Sequence, residues 1–267
     1  MDKRPIGITD SGLGGVSTLR QALHMLPKED FLYYGDNHNA PYGSRSAEEI
    51  HALSRNVVRY FLNQDVKAIL VACNTTTAVA LPTLQSESPI PIVGIQPAIL
   101  PASEMPGDGI ILMMATQAAA THPRYLAIHA SLPDPDRVKN IPCSAEFVRR
   151  VEANLFGPDD YSDILEEALA PYEGERVDGI VLGCTHYLFF QRQLAAYAER
   201  HFQGSPRFFD GGKTATEALR QVLREQDLEN TQGIGSVSFH TSGDPDTYRM
   251  RFEALLNQPM QIEGIEL

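Results

Sequence analysis

Short apolar runs alternate with amphipathic stretches along the chain. Ile6–Thr9 is an apolar run that ends at Asp10, and Gly12, Gly14 and Gly15 then punctuate a turn. Val16, Leu19, Leu23 and Leu26 follow at helical spacing. Phe31–Tyr34 reads as the next strand. Ser46 and Glu49 have the spacing of a capping box, and Ile50, Leu53, Val57 and Phe61 continue behind them as a helical stripe. Ala68–Ala72 is continuously apolar, the pattern of a strand buried on both faces. Strands alternating with helices of this length predict parallel βαβ units and an α/β fold.

The pattern also echoes itself. Residues 66–75 read VKAILVACNT and residues 177–186 read VDGIVLGCTH. Each is a buried-strand run that ends in a small residue, then Cys, then polar residues. Earlier in each half, Ile6–Asp10 and Gly109–Thr116 are both apolar strands closed by a polar residue. A duplicated α/β domain is the simplest account, so two pseudo-symmetric parallel-sheet α/β domains are expected. Pro89, Pro91, Pro97, Pro101 and Pro106 crowd around one crossing between them, and Gly204–Arg207 marks a second. The expected boundaries are 1–97 plus 207–267 for the first domain and 98–206 for the second. Beyond Phe208 the pattern gives a strand, a helix near Thr216–Glu225, a strand at Val237–His240 and a helix near Asp246–Leu256, a tail that returns to the first domain.

Composition narrows the function. The 267 residues are 43% apolar and 21% charged, ordinary values for a folded protein. Net charge is −12, which argues against nonspecific nucleic-acid binding because no basic surplus exists to neutralise phosphates. Three Cys make no disulfide framework and leave one thiol free, which points to a reducing compartment. The longest apolar runs, such as Ala68–Cys73 and Gly109–Ala115, are too short to span a bilayer. The run after Met1–Arg4 is too short for a signal peptide. A cytoplasmic protein with no membrane or nucleic-acid partner is expected.

Ligands of α/β sheets sit outside the carboxyl ends of the strands, and Cys73 and Cys184 both occupy that position. Should the two domains face each other, two thiols flank one cleft. One can remove a proton from a carbon while the other returns a proton to the opposite face, which inverts the carbon. A free thiol has a pKa of about 8.5 and needs help to ionise at neutral pH. Asp10 and His186 are the natural helpers. Asn74, Thr75 and Thr76, with Thr185 in the second half, supply donors suited to a carboxylate. Asp10-Ser-Gly-Leu-Gly-Gly15 matches neither a dinucleotide fingerprint nor a P-loop; Ser11 and its neighbours suit a small carboxylate, and a plain glycine turn accounts for the glycines equally well. Asp36 and Pro41-Tyr42-Gly43 fall on the same sheet edge as Cys73. Cys143, between Pro142 and Ser144, reads as a small core residue. No C-x-x-C or other ligand spacing argues for a metal. Lys3, Lys28, Lys67 and Lys139 stand in no setting for pyridoxal chemistry, while Lys213 after two glycines stays open.

ITDSGLGG at 8–15, YGDNHNAPYG at 34–43, ACNTTTA at 72–78 and LGCTHY at 182–187 resemble the glutamate racemases, cofactor-independent enzymes of the aspartate/glutamate racemase superfamily. The motifs stand in the family's order, and the resemblance extends to about Gly212. It implies an active site in the cleft between the two domains, with Cys73 and Cys184 as the acid/base pair and no cofactor. The assisting groups fall on Asp10, His186 and Glu152, the last within FVRRVEANLFG. Contacts to the amino-acid substrate fall on Asp10, Ser11, Tyr42, Gly43, Asn74, Thr75, Thr185 and His186. The product, D-glutamate, feeds bacterial peptidoglycan, and a homodimer is compatible with the family. Three positions depart from the pattern: Gln96 where Glu is common, Ala119 where Thr often lines the pocket, and Leu188 where Pro is frequent. A lost hydrogen bond to a charged group is worth about 1.5–3 kcal/mol, so Thr116 or Thr121 is expected to compensate. A racemase of aspartate or another acidic amino acid and an inactive amino-acid-binding protein are the competing readings. A thiol redox protein is disfavoured because cysteines on opposite sides of a substrate are too far apart to bridge.

Overall fold

A computed structural model describes residues 1–153, 160–257 and 260–267. Ten strands occur among them: β1 (Ile6–Asp10), β2 (Phe31–Gly35), β3 (Ala68–Val71), β4 (Ile92–Gly94), β5 (Ile110–Thr116), β6 (Val138–Cys143), β7 (Val177–Gly183), β8 (Arg207–Phe209), β9 (Val237–Thr241) and β10 (Ile262–Gly264). The chain divides into two compact units, Met1–Gln96 with Gly212–Leu267, and Pro97–Gly211. None of the described helices is long and apolar enough to cross a membrane.

The first unit holds a six-stranded sheet in the order β10-β9-β2-β1-β3-β4, and every described pairing in it is parallel. Its central strands β1, β2 and β3 are buried at every residue, as their unbroken apolar runs require when helices cover both faces. The helix Ala47–Asn63 starts at the predicted capping box: Glu49 N donates to Ser46 Oγ (3.2 Å) and Ser46 N donates to Glu49 Oε2 (2.9 Å). At the opposite end of the sheet from the strand C-termini, Lys67 and Glu29 form an ion pair of 2.5 Å, both almost fully buried. Lys67 Nζ also donates to Asp2 O, and Glu29 Oε1 accepts from Asn230 N. The pair therefore joins the entries to β2 and β3 and the segment that leads into β9.

The second unit holds a four-stranded parallel sheet in the order β6-β5-β7-β8. This is the order β2-β1-β3-β4 of the first sheet with each strand shifted by four, the topology a duplicated unit should have. In both sheets the first strand is central, and the chain goes to one side and then crosses to the other. The break lies between the first and third strands, β1 and β3 in one unit and β5 and β7 in the other. That is where α/β sheets open a crevice at their carboxyl ends. The return crossing falls after Gly211, later than the sequence boundary at 207, because Arg207–Phe209 pairs with β7 as an edge strand. A three-residue strand carries too little pattern to show which sheet it joins.

Candidate active site

Cys73 follows β3 and caps the helix Asn74–Val79, its Sγ accepting from Thr76 N at 3.4 Å. The thiol donates to Ser11 Oγ at 3.7 Å. Asp10 ends β1, the neighbouring strand, and is 2% exposed. Burial pushes the Cys73 thiol up, the Asp10 carboxylate pushes it further, and the Thr76 and Ser11 hydrogen bonds oppose both. Cys73 therefore rests as the neutral thiol at neutral pH. Tyr42 lies beside it. Thr9, Asp10, Tyr42, Ser54, Cys73 and Thr76 line a small cavity together with apolar side chains. The Tyr42 hydroxyl donates to Asp36 Oδ2 (2.5 Å), and burial with the Asp36 charge holds the phenol well above its usual range. Gly43 lies in the same 3-10 turn. Asn74 and Thr75 are buried in the first turn after Cys73, and Asn74 Oδ1 has no hydrogen-bond partner among the described residues.

Asp36 is the group whose role the sequence alone did not reveal. Its carboxylate also accepts from Asn39 Nδ2 (3.0 Å) and Ser242 Oγ (2.6 Å). Ser242 lies just past β9, so strand pairing, not sequence proximity, makes this contact.

In the second unit Cys184 follows β7, and Thr185 and His186 open a 3-10 segment, Thr185–Phe190. Cys184 Sγ lies 3.8 Å from His186 Nδ1, and His186 Nε2 lies 2.7 Å from Glu152 Oε1. The three residues form a carboxylate–imidazole–thiol line. Burial disfavours the imidazolium, but Cys184 and Glu152 together outweigh it and raise the His186 pKa well above its usual value. Thr185 Oγ1 is 3.5 Å from the same Nδ1. Glu152 reaches this line from the helix Glu146–Ala153, which packs through Phe147 on Tyr187 and Phe190 with ring centroids 5.6 and 5.2 Å apart. The end of the FVRRVEANLFG stretch, residues 154–157, lies outside the described residues.

The family description Asp/Glu/Hydantoin racemase matches residues 9–219. The chain belongs to that family. A glutamate racemase of Clostridium botulinum (strain Kyoto / Type A2) is 34% identical over 255 residues, covering 95% of this chain and 97% of that protein. Among solved structures, glutamate racemase of Francisella tularensis subsp. tularensis SCHU S4 in complex with D-glutamate superposes with a TM-score of 0.83 at 28% identity, covering 100% of this chain and 98% of that one. Escherichia coli glutamate racemase in complex with L-glutamate and the activator UDP-MurNAc-ala gives a TM-score of 0.81 at 27% identity, covering 98% of each chain.

The residues of this family member that depart from the pattern are all placed. Gln96 is exposed at the last position of the first unit's opening segment. Ala119 is buried, and its N–H donates to Thr116 Oγ1 (3.3 Å), so Thr116 caps the helix Gln117–Ala120. Thr121 is exposed and donates to Gln117 O (2.9 Å), which commits it to its own turn rather than to Ala119's missing hydroxyl. Leu188 is half-buried within Thr185–Phe190. Cys143 ends β6, is 2% exposed, and burial pushes its thiol up to about 12, as suits a core residue. Lys213 is exposed and lies 3.9 Å from Glu217 on its own helix.

Proposed function

We propose that this protein interconverts L- and D-glutamate without a cofactor, with Cys73 and Cys184 as the two acid/base groups. The supporting observation is that each unit puts a cysteine at the same topological position, after the strand beside the sheet's switch point, and gives it a different assisting set. Cys73 has Asp10, Ser11 and Thr76. Cys184 has His186 backed by Glu152. The glutamate bound in the relatives' complexes supports the choice of substrate.

In this reading one thiol reaches each face of the substrate's Cα. In one direction Cys184 takes the Cα proton, having passed its own to His186, whose imidazolium Glu152 stabilises. The electron pair left on Cα spreads into the carboxyl group. Cys73, held as a thiol, donates its proton to the opposite face. The reverse direction exchanges the roles, and no net proton is consumed. Asp10, Ser11, Tyr42, Gly43, Asn74, Thr75, Thr185 and His186 contact the amino acid; the unpaired Asn74 Oδ1 accepts from its ammonium, since a buried acceptor left without a donor costs about 1–3 kcal/mol. The setting is cytoplasmic, the D-glutamate supplies peptidoglycan, and the active protein is compatible with a homodimer.

The test is run in D2O with purified protein, L-glutamate and no added cofactor. The Cα proton signal and the optical activity should disappear together, and Cys73→Ser or Cys184→Ser should each abolish the loss of optical activity. Unchanged glutamate with wild-type protein, or near-normal turnover in both single variants, overturns the proposal.

A further inference from the structure

Asp10 ends β1 and Ser11 opens the turn that follows, whose backbone groups are held by the side chains of Tyr33 on β2 and of Asn37 just past it. Gly12 N donates to Asp10 Oδ2 (3.2 Å), so the orientation of that peptide sets the carboxylate. The Gly12 carbonyl accepts from the Tyr33 hydroxyl (2.8 Å). Leu13 N donates to the Asn37 side-chain amide (3.2 Å), which in turn donates to Gly35 O (3.0 Å) and Thr241 Oγ1 (2.8 Å). Tyr33 and Thr241 are fully buried, and Asn37 is 8% exposed. Asp10, Gly35 and Thr241 stand in register across β1, β2 and β9.

Two glycines make this arrangement possible. A Cβ at Gly15 would lie 2.5 Å from Asp10 Cβ and 2.9 Å from Tyr33 Oη; one at Gly35 would lie 2.5 Å from the Asn37 side-chain amide and 3.2 Å from Gly12 O. The close approach leaves no room for a side chain at either place.

We infer that Tyr33, Asn37 and Thr241 form a brace that positions Asp10 and Ser11 against Cys73, so that the strand β9 near the end of the chain helps set the proton chemistry at its beginning. The inference rests on the proposed racemase reading for its catalytic consequence. They act through the Gly12–Leu13 peptides. A buried polar group held by a single geometry is far more restrictive than a packed apolar one, because moving it leaves donors and acceptors unpaired. β9 lies outside the family match at 9–219, so the part of the chain least marked by the family's motifs completes the support of its first motif.

The test uses Tyr33→Phe, which keeps the ring against Phe239 and Phe252 (centroids 5.5 and 5.6 Å) and removes only the hydroxyl, and Thr241→Val, which keeps the shape and removes the Oγ. Hydrogen–deuterium exchange of residues 11–15 reads the brace without reference to any reaction. Both variants should exchange faster there, with the second unit, Pro97–Gly211, unchanged. The kcat/KM for glutamate should fall by about tenfold. Its alkaline limb should move to lower pH by about half a unit or more, because an Asp10 carboxylate that swings away no longer opposes ionisation of Cys73, while the acid limb stays in place. A structural lesion alone would lower the active fraction and leave both limbs where they are. Unchanged exchange at 11–15 in folded variants overturns the brace. Faster exchange with unchanged kcat/KM and limbs overturns its catalytic role. Should the wild type leave glutamate unchanged, the racemase reading has failed, and the exchange measurement still decides the brace. Thr241→Val serves where Tyr33→Phe does not fold.

Discussion

His186 sits where opposing influences are strongest. It is almost completely buried, which favours the neutral ring, yet Cys184 on one nitrogen and Glu152 on the other raise its pKa well above the usual value. The folded protein therefore keeps a proton that the unfolded chain gives up above about pH 6.5. That contribution to stability is whole below pH 6.5 and is lost as pH rises through the folded-state value. Urea unfolding of wild type and His186→Asn should show the difference: the wild type loses stability faster with rising pH over this window, and the variant shows the shallower slope. Equal slopes would mean that the Cys184–His186–Glu152 line carries no proton linkage. The sequence revealed His186 because it stands two residues after a cysteine in a distinctive motif. Glu152 has no such neighbour; it was reachable only through family resemblance, since a carboxylate on an amphipathic helix looks like any solvated charge. Tyr33 and Thr241 were illegible for a different reason. Both sit in strands where any buried residue would satisfy the pattern, and their roles arise from hydrogen bonds between strands far apart in the chain.

At the scale of elements, the strands that read most plainly were those buried on both faces. β1, β3, β5 and β7 each show a continuous apolar run, and all four flank the switch points where the chemistry collects. The short strand from Phe208 was legible as a strand, but not the sheet it joins, and that hid the position of the second crossing. The Lys67–Glu29 pair was also invisible, because two charged residues at strand entries suggest exposed ends rather than a buried bridge. That pair sets an element-scale prediction. Removing one partner strands the other in an apolar interior, so Lys67→Met should cost about 3–5 kcal/mol in equilibrium unfolding. Adding Glu29→Leu should restore much of that loss, because two apolar side chains need no mutual charge compensation. The Asn230 N–H that donates to Glu29 limits the recovery. A double variant no more stable than the single one would show that the carboxylate is needed chiefly by Asn230.

Across the whole molecule, the two units repeat one strand order while their cysteines are served by different chemistry: an aspartate and hydroxyls for Cys73, a histidine–glutamate pair for Cys184. A racemase reading turns that asymmetry into a kinetic signature. L- and D-glutamate have equal free energies in water, so kcat/KM must be the same in the two directions for the wild type and for every variant, whatever step is damaged. The individual kcat values carry no such constraint, because each enantiomer meets a different cysteine as the base. Asp10→Asn weakens the Cys73 side and Glu152→Gln weakens the Cys184 side. The ratio of forward to reverse kcat should therefore move in opposite senses in these two variants, with KM following so that the kcat/KM ratio stays at one. Initial rates from each pure enantiomer, followed by circular dichroism, measure this directly. Ratios displaced in the same sense would mean that both carboxylates serve one cysteine, and the assignment of a separate assisting set to each unit would fall with that result.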